Sequence, residues 1–318
     1  MQLLSDNPRI VDERFADSGD VEELTHRAGQ GAWKPFRALG LSISYVLESA
    51  AAWAPLFSGI EYPWLCWNVD EDWCFVQQQL VRSVGWTPII GFDPRVGPPR
   101  KRVPEAILID FNKDLRLPVL YPIFPVEFAF QFCDRLAFWH SDLLIRPTKM
   151  SKLAELFGKL RNGQTAAPFD STGLRKLLSS KQKRYWELVA CTTRAASRDQ
   201  FEKGCSWWRT FWLHPNWRGD DRAAQRFYWD NGAGIYYWAK RGGGECVTLN
   251  VRDYEEGHFT KIGNSGYRGQ FRTGSVGGRS DSQRAMSREL TDNFSLEGGC
   301  SKLGIHELWR ATQNYDPS

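Results

Sequence analysis

The stretch YPWLCWNVD at residues 62–70 is a short apolar run that ends in polar residues, which is the pattern of a buried strand. A helix is predicted from about Asp72 to Val84 and is closed by Gly85. A second strand is predicted from Thr87 to Phe92, after which the chain continues as Asp93-Pro94. Strand, helix and strand in this order form a βαβ unit. The expected fold class is therefore α/β, with a mostly parallel sheet flanked by helices.

The rest of the chain divides at residues 60 and 262. Residues 1–60 carry helical patterns and are expected to form an N-terminal helical extension, and residues 61–262 form the main domain. Residues 263–318 are expected to be a flexible Gly/Arg-rich loop and a C-terminal segment, because Gly263 to Gly278 contains six glycines and no apolar periodicity. Further strands are predicted at 106–111, 136–145 and 245–251, and further helices at 36–54, 125–135, 149–160, 172–192 and 222–240.

The composition is that of a globular protein with an unusual number of tryptophans. The 318 residues include 15 Trp, aromatic residues make up 14% of the chain, and the formal net charge is +4. A charge this small gives no indication of a strongly polyanionic partner. Large aromatic side chains fill cores, but they also stack on sugar rings and bases, so both roles are open for the tryptophans.

The cysteines and the start of the sequence bear on location. The seven Cys include no CxxC pair, which argues against a disulfide framework and against a zinc ribbon. The first twenty residues are acidic and polar, unlike a signal peptide. The apolar stretch from Leu41 to Ile60 carries Glu48 and is better explained as a buried helix than as a membrane span. We expect a cytoplasmic protein with reduced thiols and no membrane span.

The sharpest local signal is the triplet His140-Ser141-Asp142, which interrupts a predicted strand and has apolar residues on both sides. In an extended chain, positions 140 and 142 point to the same face. An imidazole and a carboxylate on one face suit a divalent cation that also binds phosphate oxygens. The alternative is a polar turn at the strand end, in which His140 is only hydrogen-bonded.

This segment resembles the part of GT-A glycosyltransferases that carries the DxD motif. Residues 125–160 show the same order of helix, apolar strand, polar triplet, short apolar run and helix. In that family the motif holds Mn²⁺ or Mg²⁺ against the diphosphate of a sugar nucleotide. His140 stands here in place of the first Asp, and Asp142 is the ligand that the resemblance carries over. A late His completes the metal shell in some members, so the resemblance implies His258 as a third ligand and Ser141 beside the donor.

The resemblance covers about residues 60–260 and implies that the main domain is a GT-A-like catalytic domain with a Rossmann-type sheet. Asp70 and Asp93 end the two strands at which such enzymes bind the base and ribose of the donor. Trp207 and Trp208 fall where the family has the floor of the acceptor site. The implied partner is a nucleotide-sugar donor, and the acceptor, a glycan or a nucleic acid among others, stays open.

Glycosyl transfer also needs a base that takes the proton of the acceptor hydroxyl. Asp230 is similar in placement to the residue that supplies this base in inverting members, and Glu256 and Glu255 are the alternatives. Asp230 is equally well explained as a helix N-cap, and the two glutamates as a solvated acidic turn. The expected function is a metal-dependent transfer that inverts the sugar's configuration.

Two other classes of function stay open. One is a non-catalytic protein that binds carbohydrate or single-stranded nucleic acid with the Trp-rich region at 207–217. The other is a metal-dependent hydrolase or nuclease that uses the same ligands with water as the nucleophile. Basic loops at 95–102 and 265–288 keep a nucleic-acid acceptor in consideration. The sequence contains no GxSxG, Walker A, GxGxxG or HExxH pattern, which argues against serine hydrolases, P-loop proteins, dinucleotide-binding folds and zincins.

Overall fold

The computed structural model describes residues 43–94, 96–116, 120, 122–169, 184–203, 205, 207, 232–259 and 295–316. The strands in these residues are β1 (Pro63–Asn68), β2 (Thr87–Phe92), β3 (Ile107–Leu108), β4 (Arg135–Trp139), β5 (Gln164–Phe169), β6 (Val189–Thr193) and β7 (Glu245–Asn250). They form one seven-stranded, mixed and mostly parallel sheet in the order β3-β2-β1-β4-β6-β5-β7. The predicted α/β class is confirmed.

Helices flank the sheet, and among the described residues no helix has the length and apolar character that a membrane crossing requires. The helix predicted at 36–54 corresponds in its described part to a helix at Ile43–Ala51, and a second short helix begins at Ala54. The helices are α1 (Ile43–Ala51), α2 (Ala54–Phe57), α3 (Glu71–Ser83), α4 (Ile123–Ala129), α5 (Pro147–Gly158), α6 (Arg194–Glu202), α7 (Ala233–Arg241), α8 (Arg252–Glu255), α9 (Leu296–Leu303) and α10 (His306–Gln313).

The βαβ unit predicted from residues 62–92 is present. β1 and β2 pair in parallel, from Pro63 opposite Thr87 to Asn68 opposite Phe92, and α3 connects them. All six residues of β1 are buried. This burial explains why the strand is an almost continuous apolar run rather than an alternation of apolar and polar residues.

Helix α3 begins and ends where the sequence predicts. The side chain of Asp70 caps it by accepting hydrogen bonds from the backbone N–H groups of Asp72 and Trp73, both at 3.1 Å. Such a cap satisfies donors that have no partner within the helix. Gly85, with a φ of 76°, then turns the chain into β2 in a conformation that favours glycine.

The sheet contains two strands that the sequence does not predict. β6 lies in the segment predicted as a helix at 172–192, and it pairs antiparallel with β5, with Thr165 opposite Thr192. The helix prediction is therefore wrong at residues 189–192, because all five residues of β6 are buried against neighbours and tertiary pairing overrides local preference. Residues 170–183 lie outside the described residues. β5, with the sequence QTAAPF, lacks the β-branched and aromatic enrichment that indicates a strand.

The other elements are present with shorter bounds than predicted. The strand predicted at 106–111 is the two-residue β3, and the helix predicted at 125–135 is α4, which ends at Ala129. The strand predicted at 136–145 is β4, which ends at Trp139, directly before His140. β7 confirms the strand predicted at 245–251. The described part of the helix predicted at 222–240 is α7.

The described residues fall into two compact units. One combines those of residues 62–110, 139–159 and 252–318, and the other those of residues 1–61, 111–138 and 160–251. The sequence-based division at 262 does not coincide with these units, because α9 and α10 belong to the unit that contains α3. Gln79 on α3 donates hydrogen bonds to the backbone oxygen of Leu308 (3.3 Å) and to the hydroxyl of Thr312 (3.2 Å).

Tryptophan forms the core of the unit that contains β1. Trp64 is 0% exposed, and its ring lies 5.3 Å from that of Trp86 and 5.1 Å from that of Trp139. The ring of Phe157, on α5, lies 5.4 Å from Trp64. Trp64 thus joins β1, the start of β2, the end of β4 and α5 in one aromatic cluster.

Replacing Trp64 with alanine is expected to lower the free energy of unfolding by about 3–5 kcal/mol, because it leaves a large cavity in this cluster. Urea denaturation measures the change. Trp309→Ala is the matched control: Trp309 is only partly buried and stacks on His306, so its loss is expected to cost about 1 kcal/mol. A cost for Trp64→Ala no larger than that of the control would contradict the central place of Trp64.

Candidate metal centre

Three side chains with metal-binding atoms converge directly after β4. His140 Nδ1 lies 3.2 Å from His258 Nε2 and 3.6 Å from Asp142 Oδ1. His258 Nε2 lies 3.5 Å from the same oxygen of Asp142. These atoms are close enough together to hold one metal ion. The residues predicted from the triplet and implied by the resemblance are therefore brought together.

The spacing and chemistry of these atoms fit a divalent cation. Ligand atoms that each lie about 2.0–2.2 Å from an ion are about 2.8–3.1 Å apart at octahedral angles and about 3.3–3.6 Å apart at tetrahedral angles. The observed separations of 3.2–3.6 Å match the tetrahedral spacing more closely. Two imidazoles and one carboxylate suit first-row transition ions such as Mn²⁺, Fe²⁺ or Zn²⁺, whereas Mg²⁺ prefers oxygen ligands and water. Of the two cations expected from the sequence, Mn²⁺ fits this donor set better.

The three ligands differ in burial. Asp142 is 1% exposed, whereas the side chains of His140 and His258 are 28% and 16% exposed. A buried carboxylate loses its hydration, and this loss is costly unless positive charge, hydrogen-bond donors or a metal compensate for it. The two imidazoles beside Asp142 Oδ1 are suited to this role, either as hydrogen-bond donors or as co-ligands of an ion.

A short backbone contact brings His258 to the other two ligands. Leu143 and His258 form an isolated antiparallel bridge. The backbone N–H of Phe259 donates to the carbonyl oxygen of Asp142 at 3.0 Å, and that of Leu144 donates to the carbonyl oxygen of Gly257 at 3.0 Å. These two hydrogen bonds fix the register of the two ligand-bearing segments.

Gly257 makes this close approach sterically feasible. A Cβ atom at this position would lie 1.8 Å from the carbonyl oxygen of Leu144, a distance that real Cβ atoms do not reach. Any larger residue would therefore push the segment with His258 away from the segment with Asp142. The glycine is required here for backbone approach, not for an unusual φ angle.

Gln77 holds the turn that carries His140 and Asp142, and sequence reasoning missed it. The side-chain amide nitrogen of Gln77 donates to the carbonyl oxygens of His140 (2.8 Å) and Leu143 (2.9 Å). Gln77 is 0% exposed on the inner face of α3. A polar residue at a buried helical position was the available signal, because buried polar groups are normally hydrogen-bonded.

The residues predicted to bind the donor lie on the strand ends of the same unit. Ser141 is partly exposed between two metal-ligand candidates. Asp70 caps α3, and burial raises the pKa of its carboxyl group. Asp93 is 1% exposed, and its backbone N–H donates to the carbonyl oxygen of Asn68 at 3.2 Å. A direct contact of Asp93 with a ribose would require its carboxylate to become more accessible.

Of the predicted acceptor residues, only Trp207 is described, and it is a core residue. It is 1% exposed, its ring nitrogen donates to the hydroxyl of Thr192 at 3.2 Å, and its ring lies edge-on to Phe138 at 5.2 Å. Neither face of the indole is available for stacking on a sugar in this conformation. Trp208 and the predicted base Asp230 lie outside the described residues.

Glu256, the alternative base, is an ion-paired residue. One of its carboxylate oxygens accepts hydrogen bonds from Arg146 Nε at 3.0 Å and from Lys149 Nζ at 3.1 Å. The hydrogen bond from Arg146 is the main reason why the pKa of Glu256 is lowered. A lowered pKa makes a carboxylate a weaker base, so this environment disfavours Glu256 as the residue that takes the acceptor proton.

The described part of the predicted basic loop, residues 96–102, belongs to the unit that contains β1, and two of its charges are paired. Lys101 Nζ lies 2.6 Å from an oxygen of Asp72, and Arg100 lies 3.5 Å from an oxygen of Glu71. The backbone N–H of Lys101 also donates to Glu71, at 2.9 Å. Pairing reduces the positive charge that this loop could offer to a nucleic acid. The second basic stretch, 265–288, lies outside the described residues.

Comparisons of the chain with protein-family models, with curated proteins and with solved structures found no match. The function must therefore be inferred from the sheet, the side chains at its strand ends and the distances between them. Of these, the group formed by His140, Asp142 and His258 is the most specific.

Replacing Asp142 with asparagine is expected to weaken Mn²⁺ binding by roughly 100-fold or more, since even residues that only support metal ligands contribute about 10–100-fold. Electron paramagnetic resonance of free Mn²⁺ during a titration gives the affinity. Asp134→Asn is the control, because Asp134 is an exposed aspartate that pairs with Arg194. Equal Mn²⁺ affinity of the two variants would show that these three side chains do not form the binding site.

Proposed function

We propose that this chain is a metal-dependent glycosyltransferase of the GT-A class, which moves a sugar from a nucleotide-sugar donor to a hydroxyl group of an acceptor with inversion. The observation that carries the proposal is the group of His140, Asp142 and His258 directly after a strand of a mostly parallel α/β sheet. The order of sequence features around residues 125–160 supports the same family.

The position of these residues supports a phosphate-containing ligand. In open α/β sheets, ligands bind outside the carboxyl ends of the strands, where the strand order reverses. In this sheet β1 has β2 on one side and β4 on the other, so the order reverses between β1 and β4. Asn68 ends β1, and its side-chain oxygen is buried and accepts no hydrogen bond from the described residues. This oxygen would accept a hydrogen bond from the donor only if, like the carboxylate of Asp93, it became more accessible.

Different residues are proposed for the different tasks of such a transfer. His140, Asp142 and His258 would hold the cation, and the buried carboxylate contributes the negative charge that attracts it. A bound Mn²⁺ would neutralise the charge that develops on the departing diphosphate. Asp230 stays the predicted base, and the acceptor class, including a glycan or a nucleic acid, stays open.

A metal-dependent hydrolase or nuclease is the second candidate, and the chemistry of the three candidate metal ligands favours it. Two histidines and one carboxylate hold the catalytic zinc of several hydrolases, and three protein ligands leave positions for water. Incubation of a sugar nucleotide without any acceptor separates the two proposals. A transferase is expected to leave the sugar nucleotide largely intact when no acceptor is present. A hydrolase is expected to cleave it equally fast with or without an acceptor.

The third class, a Trp-rich binding protein, receives less support from the described residues. Trp64, Trp67 and Trp139 are at most 1% exposed, as are Trp207 and Trp238. Buried indoles stabilise a core and offer no face to a sugar or base. The tryptophans at 208, 212 and 217 lie outside the described residues.

A nucleoside diphosphate together with Mn²⁺ is expected to raise the melting temperature of the protein, because a ligand at 100 times its Kd adds about 2.7 kcal/mol to the stability of the native state. Differential scanning fluorimetry with a panel of nucleoside diphosphates measures the shift. Asp142→Ala is expected to remove the metal-dependent part of it. A shift of equal size in wild type and variant, with or without Mn²⁺, would contradict the proposed donor site.

Replacing Asp230 with asparagine is expected to lower turnover by roughly 10²-fold or more, because it removes the basicity of the side chain. Asparagine preserves most of the ability to cap a helix, so the melting temperature and donor affinity are expected to stay nearly unchanged. Steady-state kinetics with the donor identified by fluorimetry measure the effect. Near-normal turnover of the variant would show that Asp230 has a structural role.

A further inference from the structure

The segment that carries His258 is tied to the start of α5 by charged side chains. Glu256 lies two residues before His258, and one of its carboxylate oxygens accepts hydrogen bonds from Arg146 and Lys149. Arg146 immediately precedes α5, and Lys149 lies in its first turn. Arg146 is also only four residues from Asp142, so this ion pair joins the two segments that bear the metal-ligand candidates.

Further hydrogen bonds connect this ion pair to backbone oxygens of neighbouring segments. Lys149 Nζ also donates to the backbone oxygen of Asp253 at 2.7 Å. Arg146 Nη2 donates to the backbone oxygen of Lys302 at 2.9 Å, and Lys302 Nζ donates to the backbone oxygen of Glu256 at 3.1 Å. Side chains and backbone from α5, α8 and α9 thus hold one short segment from several directions. We call Arg146, Lys149, Asp253, Glu256 and Lys302 the Glu256 clamp.

The Glu256 clamp is expected to contribute little to the overall stability of the fold. The side chains of Arg146, Lys149 and Glu256 are 38%, 34% and 31% exposed. Ion pairs at this exposure contribute little to stability, because solvent screens them and ordering the side chains costs entropy. The affinity for a metal depends more strongly on such contacts, since a binding site needs its groups held within about 0.5 Å of the productive geometry.

The backbone beside Glu256 couples the position of this residue to that of the candidate metal ligand His258. Gly257 separates Glu256 from His258, and its carbonyl oxygen is held by the N–H of Leu144 at 3.0 Å. Gly257 also sits against the Leu144 backbone with no room for a Cβ atom. A shift of Glu256 would therefore change this contact and move His258 relative to Asp142.

We propose that Glu256 and Arg146 are positioning residues, which fix the distance of His258 from Asp142 and thereby set the affinity of the centre for a divalent cation. This inference rests on the metal centre of the proposed function. It assigns Glu256 a role different from that of a base.

Positioning and simple electrostatics predict opposite signs for one substitution. Arg146→Gln removes a positive charge near the centre, so the Coulomb effect alone would tighten the binding of a cation. If Arg146 acts by holding Glu256, the same substitution weakens binding, by roughly 10-fold, as supporting residues of metal sites do. Glu256→Gln is expected to weaken binding by a similar or larger factor. The Kd for Mn²⁺, measured by electron paramagnetic resonance on the full chain, is the readout.

Glu155→Gln is the matched control, because Glu155 forms an exposed ion pair with Lys159 on the same helix. It is expected to leave the Mn²⁺ affinity unchanged, and the melting temperatures of all three variants are expected to stay close to that of the wild type. Tighter or unchanged Mn²⁺ binding by Arg146→Gln would overturn the positioning role. A wild-type protein that binds no Mn²⁺ would overturn the proposed metal centre as well, so the two failures are distinguishable.

Discussion

Two backbone hydrogen bonds, from Phe259 to Asp142 and from Leu144 to Gly257, bring the candidate ligands of this protein together. Two of the ligands are almost neighbours in sequence, but His258 follows His140 by 118 residues. Without this short antiparallel contact, no local feature of either segment would place the imidazole of His258 3.5 Å from Asp142. The glycine at position 257 is the steric condition for the contact, and the rest of the site depends on it.

The surroundings of the contact are built to keep it in one arrangement. Gln77 holds the turn from the side of α3 with two hydrogen bonds in a fully buried position, where such bonds are costly to leave unmade. Glu256 and Arg146 hold the other segment from the side of α5. The aromatic cluster around Trp64 fixes α5 against β1 and the end of β4. A centre held in this way has its ligand atoms in place before a cation binds, which lowers the cost of binding.

The sequence predicts the parts of this arrangement that are local. The unit from β1 to β2 was predicted almost to the residue, because buried strands read as apolar runs and because Gly85 marks the end of α3. β5 and β6 were missed or misassigned, since their small and polar residues become strands through pairing with segments distant in sequence, β5 with both β6 and β7. His140 and Asp142 stood out by their spacing, and His258 came from a family resemblance. Gln77 and the Glu256 clamp depend on contacts between distant segments, which no spacing within one segment encodes.

We propose that the two histidines and Asp142 hold a cation that also binds a diphosphate. Pulsed electron paramagnetic resonance of the protein with Mn²⁺ and a nucleoside diphosphate tests it in one measurement. We expect couplings of the Mn²⁺ to imidazole nitrogen and to phosphorus in the same complex, with the nitrogen coupling reduced in His258→Gln. Phosphorus coupling without nitrogen coupling would mean that the Mn²⁺ is bound by the nucleotide alone, and it would rule out the proposed centre.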